Sequence, residues 1–286
     1  MDDALAQAAV RALIAQAELT PKPGLAGARD LRARTTGADL LTLRWSAKAL
    51  TPAFAAIAAS ARHPGGPTPT LREELGAIGR GAEWTMSRAC GGPAAGAHRG
   101  ALWVTGLLVA AAALEPDAPP RELPAAAKRI AAHPDRRAPR RPSPGSQVSA
   151  TYGAAGARGE ARAGFPHVRR ALDALSRARG TGATEAQARL DALLTVMSTL
   201  QDTGPLYHAG PPGLRGCRTG RAASSRRAAR RRPRARPPWP GWTPSWVNSA
   251  SRSGAAPRCS PGHSSWTASP RRWPTPPTGL SDRTFE

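Results

Sequence analysis

Apolar residues recur at helical spacing along most of the first 200 positions of the chain. The stripe near the start, the one after Pro166 and the one before position 200 each follow the i, i+3, i+4, i+7 pattern of a single helix face. Each stripe therefore predicts an amphipathic helix that packs against a core. The three stripes are Leu5, Ala9, Val10, Leu13, Ile14 and Ala17; Val168, Ala171, Leu172 and Leu175; and Leu190, Leu193, Leu194, Met197 and Leu200.

Other segments support the same fold class. Residues 101–114 form the most apolar run, which at fourteen residues is too short to span a bilayer and so predicts a buried central helix. Thr70 and Glu73 form a possible capping box, and a short helix is expected near residues 125–132 within a Pro-, Ala- and Arg-rich connection. No convincing β-strand pattern precedes position 210. The prediction is an all-α helical bundle whose Gly/Pro-rich loops carry the functional motifs.

Charge divides the chain into two parts. The formal net charge is +22 over 286 residues, but +13 of it falls from position 211 onward, together with five of the eight tryptophans. The preceding part carries only +9, a modest excess for 210 residues. We predict an all-helical domain over residues 1–215 and an Arg/Pro/Trp-rich tail over residues 216–286, either disordered or translated out of frame.

Cysteine usage and the start of the chain indicate the compartment. Cys90, Cys217 and Cys259 show neither C-x-x-C spacing nor an even number, which favours a reducing environment and argues against structural zinc. The start is acidic and lacks the basic and apolar regions of a secretory signal. The expected location is the cytoplasm.

The most informative stretch, residues 151–166, reads T-Y-G-A-A-G-A-R-G-E-A-R-A-G-F-P. Four glycines within a dozen residues predict a backbone that turns tightly or approaches a ligand closely. Arg158 and Glu160 flank Gly159 and add a fork-shaped donor and a carboxylate. Taken alone, the stretch is more typical of a glycine-rich loop with a surface ion pair.

Several motifs together resemble one family. They are T-P-K-P-G-L at 20–25, H-R-G-A-L-W at 98–103, Y-G-A-A-G-A-R-G-E-A at 152–161, G-F-P at 164–166 and D-T at 202–203. In this order they resemble the triphosphoribosyl-dephospho-CoA synthases over about residues 1–215. The segments S-Q-V at 146–148 and R-L-D-A-L-L at 189–194 are most similar to the malonate decarboxylase branch, with the citrate lyase branch second.

The resemblance implies a glycosyl transfer. ATP and 3′-dephospho-CoA would give 2′-(5″-triphosphoribosyl)-3′-dephospho-CoA and adenine, and the product would be passed on for attachment to the acyl carrier protein of malonate decarboxylase. An oxocarbenium-like transition state needs a donor for the departing adenine, a base for the attacking hydroxyl and cations for the triphosphate. ATP as substrate implies Mg²⁺, and neither a membrane nor nucleic acid is an expected partner.

The same resemblance names candidate site residues. Glu160, Asp202 and His98 are the candidate catalytic groups, and Glu83, Glu160 and Asp202 are the candidate Mg²⁺ ligands. For each carboxylate a helix cap or an ion pair is an equally good interpretation, and His98 could be a core histidine. Arg158 and Lys22 are the first candidates for the triphosphate. The nucleotide-binding set is Lys22, Gly24, Arg99, Gly100, Tyr152, Gly156, Arg158 and Gly159.

The tail admits two interpretations. Read one base out of register, with the free base of each codon chosen to suit, residues 220–229 and 254–267 yield G-A-R-G-V-L-A-A-G-G and G-S-A-E-M-L-A-G-T-L-F-L-D-S. Both resemble closing segments of the family. We therefore expect a frameshifted translation from about Cys217, with a compensated slip over residues 30–36. The alternative is an inactive family member whose genuine basic tail binds nucleic acid, with Trp239, Trp242 and Trp246 available for stacking.

Departures from the family pattern support that alternative. Gly96-Ala97 replaces Asn-Thr before His98, and residues 143–145 read S-P-G where the family has S-H-G. An arginine expected near Ala209 is absent, and Ala26-Gly27 stands where Val-Asp is expected. These losses would weaken the activity but do not alter the resemblance to the family.

Overall fold

The computed structural model describes residues 1–20, 22, 39–63, 65–90, 98–139 and 142–230, with the side chains of 217 and 220–230 left aside. Throughout these ranges the regular secondary structure is helical, which confirms the all-α prediction. The helices are α1 (Asp2–Glu18), α2 (Leu40–Ala49), α3 (Thr51–Ala61), α4 (Pro69–Cys90), α5 (Arg99–Leu114), α6 (Leu123–Ala132), α7 (Pro144–Tyr152), α8 (Gly156–Arg162), α9 (Pro166–Gly180), α10 (Glu185–Thr199) and α11 (Thr203–Arg230).

The main core surrounds α5, the helix predicted from the apolar run. Helices α1, α3 and α6 pack against α5, and α4 closes the same core. Gly106 lets α3 approach, since a Cβ there would lie 3.1 Å from Ile57 Cδ1. The stripe predicted for α1 is confirmed, because Ala9, Val10 and Leu13 are buried. The largest fully buried apolar side chains include Leu50, Phe54, Met86, Ile130 and Phe165.

A second group of helices follows along the chain. Helices α9 and α10 form a closely packed antiparallel pair, and α11 packs on α10 and α7. The two predicted stripes lie in α9 and α10, where Ala174 and Leu194 are among the buried residues. Helix α11 is kinked at Gly210, whose φ of 58° and ψ of −163° precede Pro211 and Pro212. The kink arises because proline has no backbone N–H to donate to the hydrogen bonds of the helix.

Two local predictions need correction. Helix α4 begins at Pro69, and the Thr68 hydroxyl accepts a hydrogen bond from the Leu71 N–H, so Thr68 caps the helix rather than Thr70. Proline at the first helical position fixes φ for this start. Residues 151–166 are also less loop-like than predicted, because they end α7, form all of α8 and begin α9.

The end of the described chain bears on the predicted domains. Helix α11 continues to residue 230, so the boundary predicted at residue 215 lies within a helix. Residues 231–286 and the predicted slip at 30–36 lie outside the described residues. Within the described ranges, no helix combines the length and the apolarity that a bilayer crossing requires.

Candidate functional site

Helix α8 carries the motif residues 156–160. Gly153 ends α7 with a φ of 63°, and Gly156 begins α8 with a φ of 58°. Both positions therefore use the left-handed region that glycine tolerates. Gly159 lies inside α8, where a Cβ would meet the Ala155 Cβ at 2.6 Å. The glycines thus set the end of α7 and the start of α8, and Gly159 allows a close contact along α8.

Glu160 is held by His167. The Glu160 carboxylate accepts a hydrogen bond from the His167 backbone N–H at 2.8 Å and lies 2.7 Å from the His167 Nδ1. Both side chains are about five-sixths buried. Among the residues that the structure describes, the buried His167 Nε2 has no hydrogen-bond partner. Both carboxylate oxygens of Glu160 are therefore already engaged, and they hold His167 in place in the first turn of α9.

Arg158, which is exposed on α8, lies close to a buried ionic network. Asp135 lies 2.7 Å from Arg80 Nη1 and 3.8 Å from Arg72 Nη1, and its side chain is 6% exposed. Burial lowers the pKa of Arg72; Asp135 opposes this shift, whereas the charges of Arg158, Arg80 and Arg162 add to it. Two guanidinium groups thus share one buried carboxylate, and the charges of Arg158 and Arg162 add to theirs. Such an excess of positive charge is favourable for a polyphosphate.

Tyr152, Gly156 and Asp202 meet at the junction of α7, α8 and α11. A Cβ on Gly156 would lie 3.6 Å from Thr203 Cγ2, and one on Gly210 would lie 3.5 Å from the Tyr152 hydroxyl. The Asp202 Oδ1 accepts a hydrogen bond from the Gly204 N–H at 3.0 Å. Residues predicted from motifs about 50 positions apart in the sequence are therefore brought together.

His98 is buried at the start of α5. Its Nδ1 lies 2.8 Å from the Ser46 hydroxyl on α2, and the two residues are 5% and 0% exposed. Burial lowers the pKa of His98 from its usual value of 6.5. The imidazole is therefore neutral at neutral pH and is held in a fixed orientation.

The remaining candidates lie near His98 in sequence or at the end of α1. Arg99 Nε lies 3.3 Å from Glu83 Oε2 on α4, and both side chains are partly exposed. The Lys22 Nζ donates to the carbonyl oxygen of Gln16 at 2.8 Å, so this buried lysine caps the carboxyl end of α1. Gly100 is exposed, and a Cβ added there would meet open space. Gly24 lies outside the described residues.

The three predicted Mg²⁺ ligands have separate neighbours. Glu83 pairs with Arg99, Glu160 with His167, and Asp202 accepts the Gly204 N–H. Among the residues that the structure describes, no three His, Cys, Asp or Glu side chains form a cluster suited to a metal. Mg²⁺ needs only one or two carboxylates when phosphate oxygens complete its shell, so the ligand set stays a prediction.

Sequence reasoning missed the partners of the predicted residues. Ser46 is 52 positions from His98, and Asp135 is 55 positions from Arg80. No local spacing signals such pairs. His167 could have been found, because it directly follows the G-F-P motif in the glycine-rich stretch.

Comparison with known proteins decides the family. The family described as ATP:dephospho-CoA triphosphoribosyl transferase matches residues 2–236, most of the chain. The chain belongs to this family. It is therefore a transferase, as its sequence motifs predict.

Curated relatives agree. A protein of Azotobacter vinelandii is 47% identical over 213 residues, covering 73% of this chain and 72% of its own length. One of Pseudomonas fluorescens is 47% identical over 221 residues, covering 77% and 75%, and one of Pseudomonas aeruginosa is 45% identical over 227 residues, covering 78% and 76%. Each is named a probable 2-(5″-triphosphoribosyl)-3′-dephosphocoenzyme-A synthase. No solved structure matches the chain.

Proposed function

We propose that this chain transfers the triphosphoribosyl group of ATP to the 2′-hydroxyl of 3′-dephospho-CoA and releases adenine. The observation that carries the proposal is the family match over residues 2–236, joined to 47% identity with relatives named for that product. In this reaction the bond from the anomeric carbon to adenine breaks, and a bond to the hydroxyl oxygen forms. Adenine gains one proton overall as the hydroxyl loses one.

Arg158 is the proposed contact for the triphosphate. It is exposed on α8, and its charge adds to that of the nearby Arg72, Arg80 and Arg162. A guanidinium can bind phosphate oxygens through two parallel hydrogen bonds. Because no phosphoryl group moves, these cations would hold the triphosphate intact while the sugar carbon reacts. Lys22, which is buried against α1, would support the site by fixing the chain that follows this helix.

His98 is the proposed donor to the departing adenine. When the Ser46 hydroxyl donates to Nδ1, the neutral imidazole carries its hydrogen on Nε2. The lowered pKa keeps this form at neutral pH. An Nε2–H group can then donate a hydrogen bond to the nitrogen on which negative charge develops. Ser46 would act by fixing the tautomer.

Asp202 is the proposed base for the 2′-hydroxyl. It directly precedes Thr203, which lies beside Gly156 at the junction of α7, α8 and α11, and its carboxylate accepts a hydrogen bond from the Gly204 N–H. Both oxygens of Glu160 are engaged by His167. We therefore assign Glu160 to positioning the glycine-rich turn, with a direct role only as the second choice. Tyr152, which is 44% exposed, would stack on a base.

Magnesium would accompany ATP. Glu83 and Asp202 are two separate candidates for the hard oxygen donor that this ion prefers, and phosphate oxygens would complete the shell at either one. Bound there, the ion would neutralise part of the triphosphate charge. Glu160 is a weaker candidate because its oxygens already accept hydrogen bonds from His167.

We further propose the malonate decarboxylase system as the destination of the product. The support is the similarity of residues 146–148 and 189–194 to that branch of the family. The reaction would take place in the cytoplasm, and another enzyme would attach the product to the acyl carrier protein. A malonate decarboxylase operon beside the gene would support this assignment, and a citrate lyase operon would overturn it.

The site assignment is tested by charge reversal. Arg158→Glu should lower adenine release at least about a hundredfold, because it places negative charge against the triphosphate. Arg177→Glu is the matched control, since it makes the same change at an exposed position of α9 outside the candidate site. Normal turnover in Arg158→Glu, with far-UV circular dichroism unchanged, would refute the assignment of Arg158 to the triphosphate.

A further inference from the structure

A cleft outside the predicted site lies between α6 and α9. Its volume is about 270 Å³, and its floor is formed by Ala163 and Gly164, directly after α8. Arg121, Lys128 and Arg169 supply three cations to its walls. None of these residues carries a predicted role in the reaction. Ala125 and Glu122 complete the lining.

Two of the three cations are available to a ligand. Arg121 pairs with the exposed Asp173 at 2.9 Å. Within the described part of the chain, neither Lys128 nor the Arg169 side chain has an ion-pair or hydrogen-bond partner. A compact ammonium beside a guanidinium fork is the usual donor set for phosphate. The three cations outnumber Glu122 and Asp173, so the cleft offers a net positive charge to an anion.

The floor of the cleft is a constrained turn. Gly164 has a φ of 79°, and Phe165 follows with a φ of 51°, which a non-glycine residue rarely adopts. Phe165 is held there because its side chain is fully buried in the main core. A Cβ on Gly164 would lie 3.4 Å from Lys128 Cδ. The G-F-P motif thus fixes the floor and lets the Lys128 stem lie across it.

Size and position indicate which anion would fit. A volume of about 270 Å³ is just below the roughly 300–1,000 Å³ of pockets that hold a whole small molecule. The cleft therefore suits a phosphate-sized part of a larger ligand. Arg158 lies on α8, which ends at Arg162, two residues before Gly164. One short helix would thus separate this cleft from the proposed triphosphate contact.

We infer that the cleft of Arg121, Lys128 and Arg169 binds the diphosphate of the 3′-dephospho-CoA acceptor. This inference rests on the proposed function. The attacking hydroxyl and the diphosphate belong to the same nucleotide, so the diphosphate must bind near the reacting carbon but apart from the ATP triphosphate. The pantetheine arm, which is attached to this diphosphate, would then extend out of the open side of the cleft.

Direct binding tests the inference without turnover. Isothermal titration with 3′-dephospho-CoA should show at least about tenfold weaker binding for Lys128→Glu and Arg169→Glu. Arg177→Glu, eight residues further along α9, should bind within about twofold of the wild type. The neutral variants Lys128→Gln and Arg169→Gln should weaken binding less, and far-UV circular dichroism checks that each variant is folded.

Kinetics separates the two substrates. Arg169→Glu should raise the KM for 3′-dephospho-CoA at least about tenfold and change the KM for ATP less than about twofold. Three results would each overturn the inference. The Lys128→Glu and Arg169→Glu variants could bind 3′-dephospho-CoA as tightly as the wild type, or they could lose affinity for ATP alone. The wild-type chain could also show no saturable binding of 3′-dephospho-CoA. Failure of the proposed function is a different result: the acceptor binds through Lys128 and Arg169, but no adenine is released.

Discussion

Replacing Asp135 by Asn should strongly destabilise the fold. The Asp135 carboxylate lies 2.7 Å from Arg80 Nη1 and 3.8 Å from Arg72 Nη1, and it is 6% exposed. The Arg72 side chain is 8% exposed, with its guanidinium 4.8 Å from the centre of the Trp103 ring. Gly76 makes this arrangement possible, since a Cβ there would lie 2.1 Å from Asp135 Oδ2. Asn keeps the shape, removes the charge and replaces one acceptor oxygen by an N–H donor.

The expected magnitude follows from the burial of Arg72. Removing one partner of a buried ion pair leaves an uncompensated charge and costs about 3–5 kcal/mol. Because Asn can still accept a hydrogen bond and Arg80 is about one-third exposed, we expect about 3 kcal/mol. For a domain of this size that loss lowers Tm by roughly 6–12 °C.

Thermal and urea unfolding followed by far-UV circular dichroism measure this loss. Asp173→Asn is the matched control, because its pair with Arg121 is mostly exposed and such pairs contribute about 0–1 kcal/mol. Adding Arg72→Met to Asp135→Asn should lower the free energy of unfolding only slightly further, since the uncompensated charge of Arg72 is then removed. A Tm for Asp135→Asn no lower than that of Asp173→Asn would refute the reasoning.

Two further predictions concern His98 and the glycine turn. Because burial lowers the pKa of His98 below 6.5, His98 takes up a proton more readily in the unfolded chain than in the folded one. The contribution of His98 to the free energy of unfolding is therefore full above about pH 6.5 and is lost as the pH falls. The stability gap between wild type and His98→Asn should therefore narrow from about pH 7.5 to about pH 5 in urea titrations; a constant gap would contradict the lowered pKa. Gly164→Ala should cost about 1–2 kcal/mol, because its φ of 79° is unfavourable for a residue with a Cβ. Gly100→Ala, where a Cβ meets open space within a helix, should be neutral or slightly stabilising, and equal urea midpoints for the two variants would argue against strain at Gly164.

The helices can be predicted from the sequence because their signal is local. Apolar spacing locates α1, α9 and α10, since one buried face repeats every three to four residues, and a continuous apolar run locates α5. The predicted start of α4 is wrong because Thr68 and Thr70 both fit a cap, and Pro69 decides between them. Glycine content suggests a loop where α8 forms, because the tight ends of that helix are what require the glycines.

The candidate site can be predicted only in part. Tyr152, Gly156 and Asp202, which come from separate motifs, lie at the ends of α7, α8 and α11 that meet at one junction, and their roles stay predictions. Pairings such as that of His98 with Ser46 depend on how α2 and α5 pack, which no spacing within either segment reveals. The cleft between α6 and α9 is likewise a product of packing and not of a motif.

The central claim is tested most directly by the products that the purified chain forms. With ATP and 3′-dephospho-CoA, liquid chromatography with mass spectrometry should show adenine and triphosphoribosyl-dephospho-CoA in equal amounts. ATP alone should release no adenine. Failure to form either product, with both substrates present and the chain folded, would contradict the account. Adenine release that does not depend on 3′-dephospho-CoA would contradict it too, because the ribosyl group would then pass to water.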